Sequence, residues 1–308
     1  MSASKQRRVS GTLRPKDRGP LDLDLVVRSH GWWDLPPFTY DRERRELGFV
    51  LADRGAPVAA AVTQGEPGSV RVSAAGEAPD RARVLAAARR VLDLDADLSS
   101  FHATCAAVKI GGSADGFGWI ARRGAGRMLR APSLFEDAVK VLATTNCTWA
   151  VTRNVVVALI ALFDRGGAFP DAEFLAGVKE SRLKKEARLG YRAPYLAAFA
   201  ERVASGKLDL ARWEDPALGD DELEAEIRAN PGFGPYAAGT LGRLLGRHRA
   251  LGLDSWSRKK VAALRFRGRA VKDARVERFY RPFGRFSGLA FWLDVTRDWH
   301  EEKEDLWP

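Results

Sequence analysis

The sequence predicts an α+β protein that is mostly helical, with a small antiparallel sheet near its N-terminal end. Between about Leu21 and Ser100, apolar and polar residues alternate in short runs parted by turn residues, the period of strands with one buried face. From Phe101 onward apolar residues recur at helical spacing between Gly and Pro breaks. With 308 residues, 45% of them hydrophobic, the chain can build two or three small cores.

Residues 1–20 (MSASKQRRVSGTLRPKDRGP) are basic, polar and Gly/Pro-punctuated, so a disordered arm is expected there. It has no apolar core of a signal peptide. Residues 21–100 should form a sheet domain from LDLDLVVRS, ELGFVLAD, PVAAAVTQ and SVRVSAAG, with turn signals such as Asp53-Arg54-Gly55 between them, closed by a helix over ARVLAAARRVLDL. The helical remainder breaks at Gly111-Gly112, Gly166-Gly167, Gly190, Asp215-Pro216, the hairpin Asn230–Gly234 and Pro282. Its most apolar run, Val155–Phe163, is too short to span a bilayer and is expected as a buried helix. A cytoplasmic protein is expected, nucleoid-associated if the source is bacterial. The final residues, HEEKEDLWP, read as a solvated acidic tail.

A net charge of +10 and a pI of about 9.8 call for an anionic partner, and nucleic acid is the commonest one. The basic residues crowd between Arg243 and Arg285, with only Asp254, Asp273 and Glu277 in opposition along that stretch. Two cysteines, Cys105 and Cys147, exclude a disulfide scaffold and suit a reducing compartment. His30, His102, His248 and His300 lie far apart, so no metal motif is expected.

The most informative stretch is Glu222–Arg258. A helix that opens on acidic residues (DDELEAEIRA) suits the positive end of its dipole and is stopped by Pro231. Gly232 and Gly234 then permit a tight turn and leave the amides bare, and Pro235 falls in the first turn of a second helix. Free N–H groups at the start of a helix make a phosphate seat. Asp254 follows twenty residues after Gly234. An aspartate before a helix is an ordinary N-cap, but a carboxylate near bound DNA can also stabilise an oxocarbenium-like sugar and orient water.

The segment IRANPGFGPYAAGTLGRLLGRHRALGLDSWSR resembles the helix-hairpin-helix element and catalytic aspartate of the base-excision DNA glycosylases. The resemblance extends over the chain after the arm, through RRVLDLDADLSSF, RMLRAPSLFEDAVKVLATTNCTWAVTRNVVVAL, LGYRAPYL and YRPFGRFSGLAFWL. It implies a TATA-protein-like N-terminal sheet followed by two helical lobes (101–130 with 262–308, and 131–261) and a DNA-reactive cleft between them. In the 3-methyladenine DNA glycosylase II branch, Asp254 would be catalytic and Trp292 would stack on the extruded base, with Tyr236 and Trp149 as further pocket walls. Tyr236 stands where bifunctional relatives carry a nucleophilic lysine, so a monofunctional hydrolase is implied. Pro231, Gly232, Phe233, Gly234 and Arg258 would hold the DNA backbone. Asn146, Tyr191 and Arg192 match positions that fill the gap left by the flipped base in the 8-oxoguanine branch, whereas Val151 replaces an expected second arginine. No cysteine follows Cys147, so the iron–sulfur cluster of some relatives is not expected. No cofactor is implied, although hairpin carbonyls could hold a monovalent cation. The partner would be double-stranded DNA with a damaged base, bound by a monomer. A cationic alkylated purine is expected to leave faster than 8-oxoguanine; the other readings are a glycosylase for oxidised or deaminated bases and a non-catalytic binder of damaged DNA.

Overall fold

Three of the four alternating runs pair as strands: β3 (Glu46–Asp53), β4 (Ala56–Gln64) and β5 (Val70–Gly76), after the short β2 (Thr39–Asp41). The computed structural model describes residues 6–53, 56–110 and 116–300; Arg54-Gly55, the Gly111-Gly112 break and the acidic tail after His300 lie outside them. The expected arm is corrected in part, because Arg7–Leu13 is a strand, β1, paired antiparallel with β5 from Arg7↔Gly76 to Leu13↔Val70. Its charge belongs to an edge position, where basic side chains discourage further pairing. The sheet order is β1-β5-β4-β3-β2, antiparallel throughout.

The fourth run, LDLDLVVRS, is a helix instead: α1 (Leu23–Val27), capped by the Asp22 side chain accepting from the Asp24 amide. Four of its five residues are buried, and a short helix buried on most sides carries no 3.6-residue pattern to read. Leu47, Phe49, Leu51, Val58, Ala60, Val62, Val70, Val72 and Ala74 form the inner face of the sheet. α2 (Arg81–Val91) closes it with Val84, Ala88 and Val91, and Gly11 on β1 leaves room for Leu85, which a Cβ there would meet at 2.8 Å.

The helical body continues with α3 (Ser99–Ala107), α4 (Gly118–Arg123), α5 (Leu134–Thr144), α6 (Trp149–Phe163), α7 (Ala172–Gly177), α8 (Glu180–Lys185), α9 (Ala193–Ala204) and α10 (Leu210–Glu214). Then come α11 (Asp220–Arg228), α12 (Pro235–Leu244), α13 (Ser255–Arg265), α14 (Asp273–Tyr280), α15 (Ser287–Val295) and α16 (Arg297–His300). α5 packs on α6 and α12, α12 on α11, and α9 on α7 and α8, while α15 gathers α13, α14 and α16. The expected lobe boundary at 261/262 falls within α13, which packs on α15. α6, read as a buried helix, is buried along one side only, and Val157 stands exposed. No helix among the described residues is long and apolar enough to cross a membrane.

His300 ends α16 buried against Trp119, and burial, helped by the Arg28 and Arg123 charges, pushes its pKa down to about 3. The unfolded chain would take up a proton near 6.5 that the folded state refuses. The stability this contributes is whole above pH 6.5 and drains away as pH falls, by about 1.4 kcal/mol per unit. The stability advantage of the wild type over His300→Gln should shrink by about 2 kcal/mol between pH 6.5 and 5 in denaturant titrations. An advantage independent of pH would show that His300 is not held neutral.

Candidate active site

α11 ends at a hairpin built from its own side chains. Asn230 is buried, donates through Nδ2 to the Glu226 and Ile227 carbonyls, and accepts at Oδ1 from Arg202 at 2.7 Å. Gly232 adopts φ +88°, and a Cβ there would meet Leu142 at 2.7 Å and Tyr195 at 2.9 Å, so only glycine fits. Gly234 has an ordinary φ of −80° and open space where a side chain would project. Its contribution is bareness, not conformation. The amides of Gly234 and Tyr236 find no acceptor among the described residues, and Pro235 has none to satisfy, so the first turn of α12 presents free donors.

α12 leads into a loop, Leu245 to Leu253, that glycines let settle between two helices. A Cβ on Gly239 of α12 would lie 2.7 Å from the Gly252 Cα, and one on Gly288 of α15 would lie 2.0 Å from the Ala250 carbonyl oxygen. The Gly288 amide donates to the His248 carbonyl at 2.7 Å. This clamped loop delivers Asp254 to the head of α13. There Oδ1 accepts from the Ser257 amide at 2.7 Å, and Ser257 Oγ accepts from the Asp254 amide at 3.0 Å. Oδ2 has no partner among the described residues, so capping occupies one carboxylate oxygen and leaves the other for chemistry.

That carboxylate lies on the wall of a cavity of about 340 Å³. Thr144 and Trp149 come from α5 and α6, Tyr236, Thr240 and Arg243 from α12, and Trp256, Trp292 and Trp299 from the C-terminal helices. His30, Gly31 and Trp32, just after α1, complete it from the sheet domain. Trp149 donates to Asp34 Oδ2 at 2.8 Å, and Gly31 makes room for its ring, which a Cβ would meet at 2.4 Å. Trp292 donates to the Ser29 carbonyl at 2.7 Å, and the Tyr236 hydroxyl lies 3.2 Å from that of Thr144. Burial raises the Tyr236 pKa and pushes His30 down to about 3, so both are neutral at pH 7. Among the lining residues Asp254 is the one carboxylate and Arg243 the one cation.

Solved structures share this fold. The chain superimposes on a 3-methyladenine DNA glycosylase from Archaeoglobus fulgidus with a TM-score of 0.71, covering 92% of this chain and 98% of that one at 16% identity. On the Clostridium acetobutylicum 8-oxoguanine glycosylase/lyase bound to duplex DNA with cytosine opposite 8-oxoguanine, the score is 0.69, over 96% and 98%, at 18% identity. The fold is that of the helix-hairpin-helix DNA glycosylases. A 3-methyladenine DNA glycosylase of Schizosaccharomyces pombe in complex with abasic DNA matches 65% of this chain and 96% of its own length, at 16% identity and a TM-score of 0.53. No family model matches the chain, and no curated protein matches it by sequence.

In this glycosylase fold, Asp254, Tyr236, Trp292 and Trp149 come together at one cavity. Asn146 is exposed at the turn between α5 and α6 in a left-handed conformation, φ +48°, and Tyr191 is exposed beside it, its hydroxyl 3.5 Å from the Thr145 carbonyl. Arg192 is a correction: it is buried, and its guanidinium donates to the Thr145 carbonyl and hydroxyl, so it props the Asn146 turn from behind. Phe233 is another, since its ring is buried 4.9 Å from Phe199 and its amide is spent on the Asn230 carbonyl; Pro231 and Gly234 are the exposed parts of the hairpin. Arg258 is half exposed but held by Asp273 in two bonds of 2.8 Å.

The basic stretch also meets more opposition than its local sequence shows. Arg249 pairs with Asp221, Arg247 with Asp220, and Arg265 with Asp294, all from other elements. Lys259, Arg267, Arg269, Lys272 and Arg278 remain exposed. Among the described residues no group of His, Cys, Asp and Glu could hold a metal ion. The residues that sequence reasoning missed are Arg243, counted with the surface charges, and Trp299 and His30–Trp32, which come from distant parts of the chain.

Proposed function

We propose that this protein is a monofunctional DNA N-glycosylase: it flips a damaged base into the aromatic cavity and hydrolyses its bond to deoxyribose. The observation that carries the reading is the Asp254 carboxylate, one oxygen fixed by its cap and the other free on the cavity wall, within a fold shared with such enzymes. A carboxylate fixed beside the sugar can stabilise the developing positive charge and take a proton from the attacking water. A pure binder gains nothing from an anion facing an anionic backbone. The bare hairpin amides would seat a phosphate, and Asn146 with Tyr191 would enter the space the base vacates, offsetting some of the few kcal/mol lost in unstacking. The reaction needs no cofactor. The working form is proposed to be a monomer on duplex DNA, in the cytoplasm.

Hydrolysis without an amine nucleophile is supported by the lining, where Tyr236 stands and no lysine does. Borohydride should trap no enzyme–DNA adduct, and the product should be an unbroken strand with an abasic site. A trapped adduct would overturn this and direct attention to Lys260, whose Nζ lies 5.9 Å over the Trp256 ring. On the lesion class, the aromatic walls favour an alkylated purine by cation–π attraction. Arg243 counts the other way, because its guanidinium already lies 4.7 Å over Trp292.

A further inference from the structure

Arg243 is unusual for an arginine of α12. It is 3% exposed, yet it lines the cavity. One Nη donates to the Leu251 carbonyl at 2.7 Å, while Nε is buried without an acceptor. No carboxylate lies within ion-pair distance among the described residues. Burial pulls its pKa down to about 10, which still leaves it charged at pH 7. A guanidinium has five N–H donors, and a buried cation with most of them unspent is costly unless something arrives to use it.

The geometry points to Arg243 as the residue that sets lesion specificity: its charge stabilises the negative charge left on a departing neutral, carbonyl-bearing base and disfavours a base that is already cationic. This rests on the hydrolytic reading. When the C1′–N bond of a neutral base breaks, both electrons leave on the base. Water forms the new C1′–O bond and gives one proton to Asp254, and the base anion then takes a proton from solvent. Until it does, the anion needs an electrostatic partner, and a preorganised donor in a dry site supplies one. A methylated purinium leaves as a neutral molecule and has no such need. It would also enter a pocket in which Trp292 already carries a cation. Asp254 and Arg243 thus divide the task, with negative charge at the sugar and positive charge at the base.

The test uses duplexes carrying hypoxanthine, 8-oxoguanine or 7-methylguanine, with single-turnover release measured for the wild type, Arg243→Met and Arg243→Lys. Methionine keeps much of the length without the charge, and should slow release of the two neutral bases by ~10²–10³-fold while leaving 7-methylguanine release unchanged or faster. Lysine restores a charge, but one whose pKa burial lowers, so its rate on neutral bases should fall with rising pH where the wild type stays flat. That pH profile keeps the test open if the methionine variant fails to fold. Equal losses on all three bases, or none, would overturn the inference and leave the hydrolytic reading standing. Failure of the wild type to free any base from any duplex would instead remove the hydrolytic reading, and this inference with it.

Discussion

Asp254→Asn should lower base release by at least ~10²–10³-fold while duplex binding stays near wild type. Asparagine has the same shape and is as good an N-cap as aspartate, so its Oδ1 can still accept from the Ser257 amide and α13 keeps its start. Only the charge is lost, and with it the stabilisation of the sugar cation and the acceptor for the water proton. Alanine would be a poorer choice, because losing the cap costs about 1 kcal/mol and mixes folding with chemistry. Single-turnover release set beside equilibrium binding of the same duplex separates the two effects. Near-wild-type turnover in the asparagine variant would show that Asp254 is a cap and nothing more.

Gly288→Ala should be almost as damaging, although residue 288 is not among those lining the cavity. The added methyl would fall 2.0 Å from the Ala250 carbonyl oxygen, so the loop has to move. Further along the same loop Gly252 lies so close to α12 that a Cβ on Gly239 would fall 2.7 Å from its Cα, which leaves the loop little freedom to yield. The displacement passes along four residues to Asp254, and a carboxylate misplaced by about 1 Å can cost ~10²-fold in rate. Strain of this kind also lowers stability by roughly 1–3 kcal/mol. The two effects part in a comparison of melting temperature, DNA binding and turnover: binding by the hairpin should survive where turnover does not. A variant with the wild-type rate would mean that the loop is not what positions Asp254.

The parts of the site legible in the sequence are local ones. The hairpin, Tyr236 and Asp254 lie within one stretch whose turn chemistry, caps and spacing are set by near neighbours, so their pattern survives in one dimension. Arg243 lies in the same stretch and could not be told from a surface arginine. Its neighbours there are basic, and its one hydrogen-bond partner among the described residues is a backbone carbonyl, so there is no complementary acid among them to notice. Arg192 shows the reverse case, since it matches a DNA-facing position but turns inward because the Thr145 carbonyl needs a donor. His30 and Gly31 reach the cavity from the sheet domain, through a helix that reads as a strand. Edge strand β1 was hidden by its own charge. Apart from the Arg243–Leu251 bond, the deciding contacts are long-range, as where Trp292 and Ser29 meet from opposite ends of the chain.

The most direct test of the central claim is base release by the wild-type protein over a panel of duplexes, identical but for one alkylated, oxidised or deaminated base. At least one lesion should be freed as an intact base in the absence of any cofactor, leaving an abasic strand, while the undamaged duplex is untouched. Tight binding to the damaged duplexes with no base released from any of them would contradict it and leave a DNA-binding protein in a glycosylase fold.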